Sequence, residues 1–97
     1  MAEDIRFKWD PRKADANRRK HGIRFETACS VFADPYVGHF VEGTDHGEIR
    51  YRAVGEVERR LLVVSYTARE EGGEEIIRII SARKVTRRER RLYEGNS

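Results

Sequence analysis

The sequence predicts an α+β domain: an antiparallel sheet packed against an N-terminal helix pair, with a basic helix at the C-terminus. Three observations carry this prediction. Phe25, Ala28, Cys29 and Phe32 recur at i, i+3, i+4 and i+7, the apolar stripe of a helix. Across residues 48–57 the period becomes two, with Ile49, Tyr51, Ala53 and Val57 alternating with Glu48, Arg50, Arg52 and Glu56. Further strand-like runs follow directly, and consecutive strands after a helix pair indicate an antiparallel sheet.

Taken in order, Ile5–Trp9 is a short strand rich in β-branched and aromatic residues. Asp10 then reads as a helix N-cap and Pro11 as a first-turn residue, where a missing N–H costs nothing. This helix should stop at His21, because Gly22 suits the left-handed C′ position. The second helix carries the Phe25–Phe32 stripe and ends at Asp34-Pro35. Tyr36–Val41 is a strand, Gly43–Gly47 a polar turn region, and residues 48–57 a half-exposed strand. Leu61–Tyr66, apolar apart from Ser65, suits a central strand covered on both faces. A turn at Gly72-Gly73 leads into a strand over Glu75–Ala82. Thr86 and Glu89 have capping-box spacing and start a last helix, about Arg87 to Tyr93.

The composition narrows the functional classes. A chain of 97 residues reads as one domain, residues 1–97. The single cysteine, Cys29, excludes a disulfide framework and a cysteine-based zinc knuckle. Nothing approaches the roughly 18–20 apolar residues of a membrane span, and no signal-peptide apolar region opens the chain, so it reads as a small cytoplasmic protein. The net charge of +3 is unevenly spread: residues 1–24 and 83–97 each carry +4, and residues 25–82 carry −5. Two basic ends around an acidic middle point to a localised cationic site. Zinc-site spacings, a phosphate-binding glycine loop and a dinucleotide fingerprint are all absent, so no cofactor or metal is expected.

Three groups of residues can carry chemistry. Lys13, Asn17, Lys20 and His21 fall on one stripe of the first helix, where an amide between cations suits a phosphate or sugar. The same stripe also reads as a solvated face whose last cations complement the helix dipole. Glu48, Arg50 and Arg52 share a strand face, with Arg78 inside an isoleucine-rich strand and Arg69 and Arg83 at strand ends. Guanidinium groups in line bind phosphate bidentately, although cross-strand Arg–Glu pairing is common too. Arg87, Arg88, Arg90 and Arg91 make a dense patch suited to nucleic acid or an acidic partner segment. Trp9 and Tyr66 can stack on bases, and a lone Trp also suits a core.

Phe7, Trp9, Asp10, Lys13, Asn17, Lys20, His21, Gly22, Phe25, Ala28, Phe32, Asp34 and Pro35 together resemble the opening of the BrnT family of toxins. Later residues agree: Glu48, Arg50 and Tyr51 with Gly55, Leu62–Tyr66 with Thr67 and Arg69, and Arg78–Arg83 ahead of Thr86, Arg87, Arg88 and Glu89. The resemblance spans about residues 6–94. It implies a RelE-like fold and the ribonuclease toxin of a type II toxin–antitoxin pair. It further implies a BrnA-type antitoxin in a heterotetramer of two toxins and two antitoxins, with operator DNA bound only through the antitoxin.

Metal-independent RNA cleavage needs a base for the 2′-OH, an acid for the leaving oxygen and cations around the phosphorane. Lys20, His21, Arg69 and Arg83 lead the expected catalytic set, with Glu48 as the carboxylate base. Lys13, Asn17, Arg50, Arg78 and Arg87 are the expected RNA-binding set. An acidic or amphipathic antitoxin segment is expected across Arg83, Arg87 and Arg91. The competing reading is a non-catalytic nucleic-acid-binding or protein-interaction module.

Overall fold

The computed structural model describes residues 4–96. Strand β1 (Asp4–Lys8) leads into α1 (Pro11–His21), α2 (Phe25–Cys29) and a 3-10 turn, Ser30–Ala33. Strands β2 (Gly38–Asp45), β3 (Glu48–Val57), β4 (Arg60–Glu71) and β5 (Glu74–Lys84) follow, and α3 (Arg87–Asn96) closes the chain. The five strands form one sheet in the order β1-β5-β4-β3-β2, so β4 is central, as its apolar run foretold.

The sheet is mixed, which corrects the antiparallel expectation. β1 runs parallel to β5, with Phe7 opposite Ile77 and Lys8 opposite Arg78. Only the four later strands, joined by tight hairpins, pair antiparallel. Short loops force antiparallel neighbours, whereas β1 reaches β5 only after the rest of the chain has intervened.

Asp10 accepts a 2.8 Å hydrogen bond from the Arg12 N–H, Pro11 opens α1, and Gly22 at φ 72° ends it, as the sequence indicated. The second helix is shorter than its stripe, tightening after Cys29 into the 3-10 turn. That turn is fitted to β3 at Gly55, where an added Cβ would sit 3.0 Å from the Val31 carbonyl oxygen and from its Cγ1.

Side chains alternate across the sheet and split the core in two. Leu62, Val64, Ile77, Ile79 and Ala82 pack beneath Ile23, Phe25, Ala28 and Val31 of the helix pair. Trp9 meets Phe25 edge-on at 6.0 Å, which makes it part of this packing and not an open stacking platform. On the other face a smaller cluster of Val54, Leu61 and Val63 is covered by Tyr93 of α3.

Asn17 overturns the reading of the first helix stripe. It is only 7% exposed. Its Oδ1 accepts from the Ala82 N–H at 3.0 Å, and its Nδ2 donates to the Ala82 and Ile23 carbonyls at 2.9 and 3.0 Å. β1 ends opposite Arg78, so among the described residues the edge of β5 beyond it lacks a strand partner, and this amide takes its place. Both ends of its amide are engaged inside the fold, so Asn17 is a buried clamp and not the exposed polar group that the helix stripe suggested. Asn17→Ala strips three buried backbone groups of their partner and should destabilise the fold by about 2–4 kcal/mol in urea unfolding.

The hairpins turn on two residues each. Gly72 and Gly73 between β4 and β5 are both at positive φ, 57° and 82°, which glycine adopts without strain. Between β3 and β4 the same geometry is held by Glu58 and Arg59, at φ 53° and 65°. These residues carry no turn signal in sequence and pay a left-handed penalty. Replacing them with Asn-Gly should therefore raise stability by roughly 1–2 kcal/mol, read as a shift of the urea midpoint at unchanged slope.

Candidate functional site

The face of the sheet that carries α3 also carries the charge. Register places Lys8, Arg78 and Thr67 side by side on β1, β5 and β4, with Ile76 opposite Arg69 in the adjacent row. Glu48 at the start of β3 joins them around a cavity of about 120 Å³. Lys8, Glu48, Arg69 and Arg78 are exposed, whereas Thr67 is buried in the floor. Arg69 also makes an ion pair with Glu71 at the surface, where both side chains are about half exposed or more. Three cations, a hydroxyl and one carboxylate thus converge on one small hollow. The cations can hold an anion such as a phosphate, and the carboxylate can accept a proton.

Toward α3 the same face continues as an ionic chain. Arg50 Nε lies 3.5 Å from Glu42 Oε2. Glu42 Oε1 accepts from Arg52 Nη2 at 2.9 Å and from Ser65 Oγ at 3.2 Å. Arg52 Nη1 donates to Glu89 at 3.0 Å, and Arg83 grips the same carboxylate through Nη1 at 2.8 Å and Nη2 at 2.9 Å. The Thr86 N–H adds a bond to Glu89 Oε1, and the Glu89 N–H returns one to Thr86 Oγ1, completing the capping box. The hydrogen bonds from Arg83 hold the Glu89 carboxyl at about 2, against the opposing effect of burial. Burial also works to raise Glu42, but Arg52 and Ser65 outweigh it and hold that carboxyl below its ordinary range.

Of the residues expected from sequence, the structure brings Glu48, Arg69 and Arg78 together around the cavity. Arg50 lies two residues from Glu48 on the same strand face. Arg83 shares the face but is forked onto Glu89, so its charge is already matched. Arg87 is exposed in the first turn of α3. Lys13 and Lys20 are exposed and His21 half-buried on α1, among none of the residues lining the cavity. Sequence reasoning missed Lys8 and Thr67 as cavity residues and Glu42 as the carboxylate between Arg50 and Arg52. For Lys8 a signal existed: alternation with Phe7 places it on the face opposite the helix core.

On the helix-pair face a second group was unforeseen apart from Tyr66. His39 Nδ1 and the Tyr66 hydroxyl are hydrogen-bonded at 2.7 Å, Tyr51 stacks on Tyr66 at 5.4 Å, and Phe32 meets Tyr66 edge-on at 5.0 Å. Burial pushes the Tyr66 hydroxyl up to about 12, helped by Glu75 and Tyr51, and lowers His39 against the pull of Glu75. Burial and the nearby Glu26 raise the Cys29 thiol to about 11. Among the described residues no group of three or more His, Cys, Asp or Glu is placed to hold a metal ion, and no helix is long and apolar enough to cross a membrane.

A charged sheet face of this kind, built by a β-α-α-β-β-β-β-α chain, is found here in a ribonuclease toxin of the type II toxin–antitoxin class, for residues 9–89 match that class of protein. The matching family is described as "Ribonuclease toxin, BrnT, of type II toxin-antitoxin system", and the chain belongs to it. No curated protein matches the chain. Membership brings with it an antitoxin partner and an RNA substrate.

The ionic chain has a pH consequence. The Glu89 carboxyl sits well below its unfolded value near 4.5, so its contribution is complete above that value and is lost as pH falls toward 2. By pH 3 wild type should have lost on the order of 2 kcal/mol relative to Glu89→Gln, whose own stability lacks that component. Urea midpoints of both proteins between pH 6 and pH 3 check this; parallel curves would refute it.

Proposed function

We propose that this protein is a metal-independent endoribonuclease whose cutting site is the cavity between Lys8, Glu48, Arg69 and Arg78. The observation that carries the reading is a single carboxylate facing three cations on one sheet face. The scissile phosphate sits against Arg69 and Arg78, which stabilise the charge that develops on its oxygens. Glu48 takes the proton of the 2′-OH as that oxygen attacks phosphorus and the bond to the 5′ oxygen breaks. The leaving oxygen takes its proton from Lys8, since arginine does not give one up. The products are a 2′,3′-cyclic phosphate and a 5′-hydroxyl. Arg50 and the α3 arginines, Arg87 among them, extend the cationic track for flanking phosphates. Lys20 and His21, away from the cavity, have no part in this step, and Arg83 acts through Glu89 to seat α3.

In this reading the 97 residues act as one RelE-like toxin domain in the cytoplasm, arresting growth by cutting RNA needed for translation. The element order and the helix pair on one sheet face support the RelE-like assignment. A BrnA-type antitoxin holds the toxin inactive, in a complex of two copies of each, and only the antitoxin contacts operator DNA.

Glu48→Gln should slow cleavage of total RNA by about 10²–10⁴-fold, and Arg69→Ala or Arg78→Ala by about 10²-fold each, with unfolding midpoints unchanged. Cleavage by wild type should persist in excess EDTA and stop at a single 2′-deoxy nucleotide at the cut. EDTA-sensitive cleavage or 5′-phosphate ends would rule the mechanism out.

A further inference from the structure

The helix pair covers only part of its sheet face. Past Phe32 the face is open, and three aliphatic side chains stand on it: Ile5 at 50% exposure, Val41 at 70% and Ile49 at 46%. Register puts Val41 opposite Tyr51, two residues from Ile49, while Ile5 stands opposite Glu75 on the far side. Between them lies a hollow of about 380 Å³ lined by Ile5, Phe32, His39, Tyr51, Tyr66 and Glu75, with Ile77 and Ala68 at its base. Its volume falls within the roughly 300–1,000 Å³ of small-molecule sites, and aromatic walls with a few polar groups suit an inserted side chain.

The charge decides the occupant. Among the described residues no lysine or arginine lines this hollow, and its one ionic group is the Glu75 carboxylate. RNA would meet an anion here and leave its phosphates unneutralised, whereas Lys8, Arg69 and Arg78 stand on the opposite face of the sheet. A second copy presenting the same face would bring another carboxylate and no cation to pair with it. An aromatic hollow with one carboxylate in its wall, flanked by exposed aliphatic side chains, fits instead a protein that offers an apolar anchor beside a basic side chain.

We propose that this open face is the docking surface for the antitoxin. It takes a large apolar anchor into the hollow beside Tyr66, with a lysine or arginine of the antitoxin meeting Glu75. The partner's existence rests on the toxin reading; the place and chemistry of docking rest on this face alone. The expected cover of Arg83, Arg87 and Arg91 by an acidic segment has less to recommend it, because Arg83 is already neutralised by Glu89.

The test uses the cognate antitoxin, purified, and titrated into toxin carrying Glu48→Gln so that every variant can be produced. The double variant Val41→Asn, Ile49→Asn alters only exposed side chains and should leave the unfolding midpoint unchanged. It should weaken antitoxin binding at least tenfold, and Glu75→Gln should weaken it severalfold with a shallower salt dependence. With Glu48 restored, the double variant should cut RNA at the wild-type rate. Antitoxin affinity within twofold of wild type for the double variant would overturn the proposal. So would a double variant that keeps the antitoxin but loses RNA cleavage, or one that changes only toxin self-association. Binding is measured without reference to cleavage, so an inactive wild type would defeat the ribonuclease reading and leave this result standing.

Discussion

Among the described residues, strand β5 has no strand neighbour on its outer edge beyond Arg78, and the backbone of Ala82 must be satisfied by something other than a strand. Asn17 meets that requirement with one planar amide that accepts from the Ala82 N–H and donates to its carbonyl. The consequences spread from this point. α1 is anchored to the sheet, its exit is tied by the bond to the Ile23 carbonyl, and Ile23 and Phe25 are returned to the core. The ladder with β4 holds β5 in the register that sets Arg78 and Arg83 on the face away from the helix pair.

The two faces of the sheet are therefore chemically unlike. The helix-pair face is closed by apolar packing as far as Phe32 and ends in an aromatic hollow with one carboxylate. The α3 face is closed by ions as much as by apolar contact. Glu89 links Arg52 and Arg83, while Tyr93 donates to Asp34 at 2.7 Å and packs on Val63 and Leu61. Asp34 also accepts from the Tyr36 and Glu56 N–H groups, and these bonds hold it below its ordinary range although burial opposes them. A half-buried ionic chain of this kind contributes little net stability over an apolar alternative. Its effect is geometric: it fixes arginines that would otherwise sample many rotamers, and it fixes α3 to the end of the sheet.

Much of the fold was legible in the sequence because its signals are local. The Asp10-Pro11 start and Gly22 stop of α1, the Gly72-Gly73 turn and the Thr86–Glu89 capping box each involve residues within one turn of each other. The apolar run of β4 marked a central strand for the same reason. Polar hairpin arms were missed: β4 continues through Thr67–Glu71, and β2 begins two residues later than expected and runs on to Asp45, because ladder hydrogen bonds extend strands where side chains carry no apolar pattern. The Glu58-Arg59 turn was invisible because the hairpin imposes a conformation its residues do not favour.

The candidate site divides along the same line. Residue type alone marked Glu48, Arg69 and Arg78 as chemistry-bearing, and family resemblance joined them to a ribonuclease toxin. Which cations stand together was decided by strand register, a long-range property. Register brought Lys8 from residue 8 beside Arg78 and left Lys20 and His21 on a helix elsewhere. Helical spacing treated Asn17 as one of four similar polar groups, and only the unpaired edge of β5, 65 residues away in the chain, made it a buried clamp. Sequence determined the elements and their chemistry because those depend on neighbours along the chain; tertiary structure decided which charges act together because that depends on neighbours across the sheet.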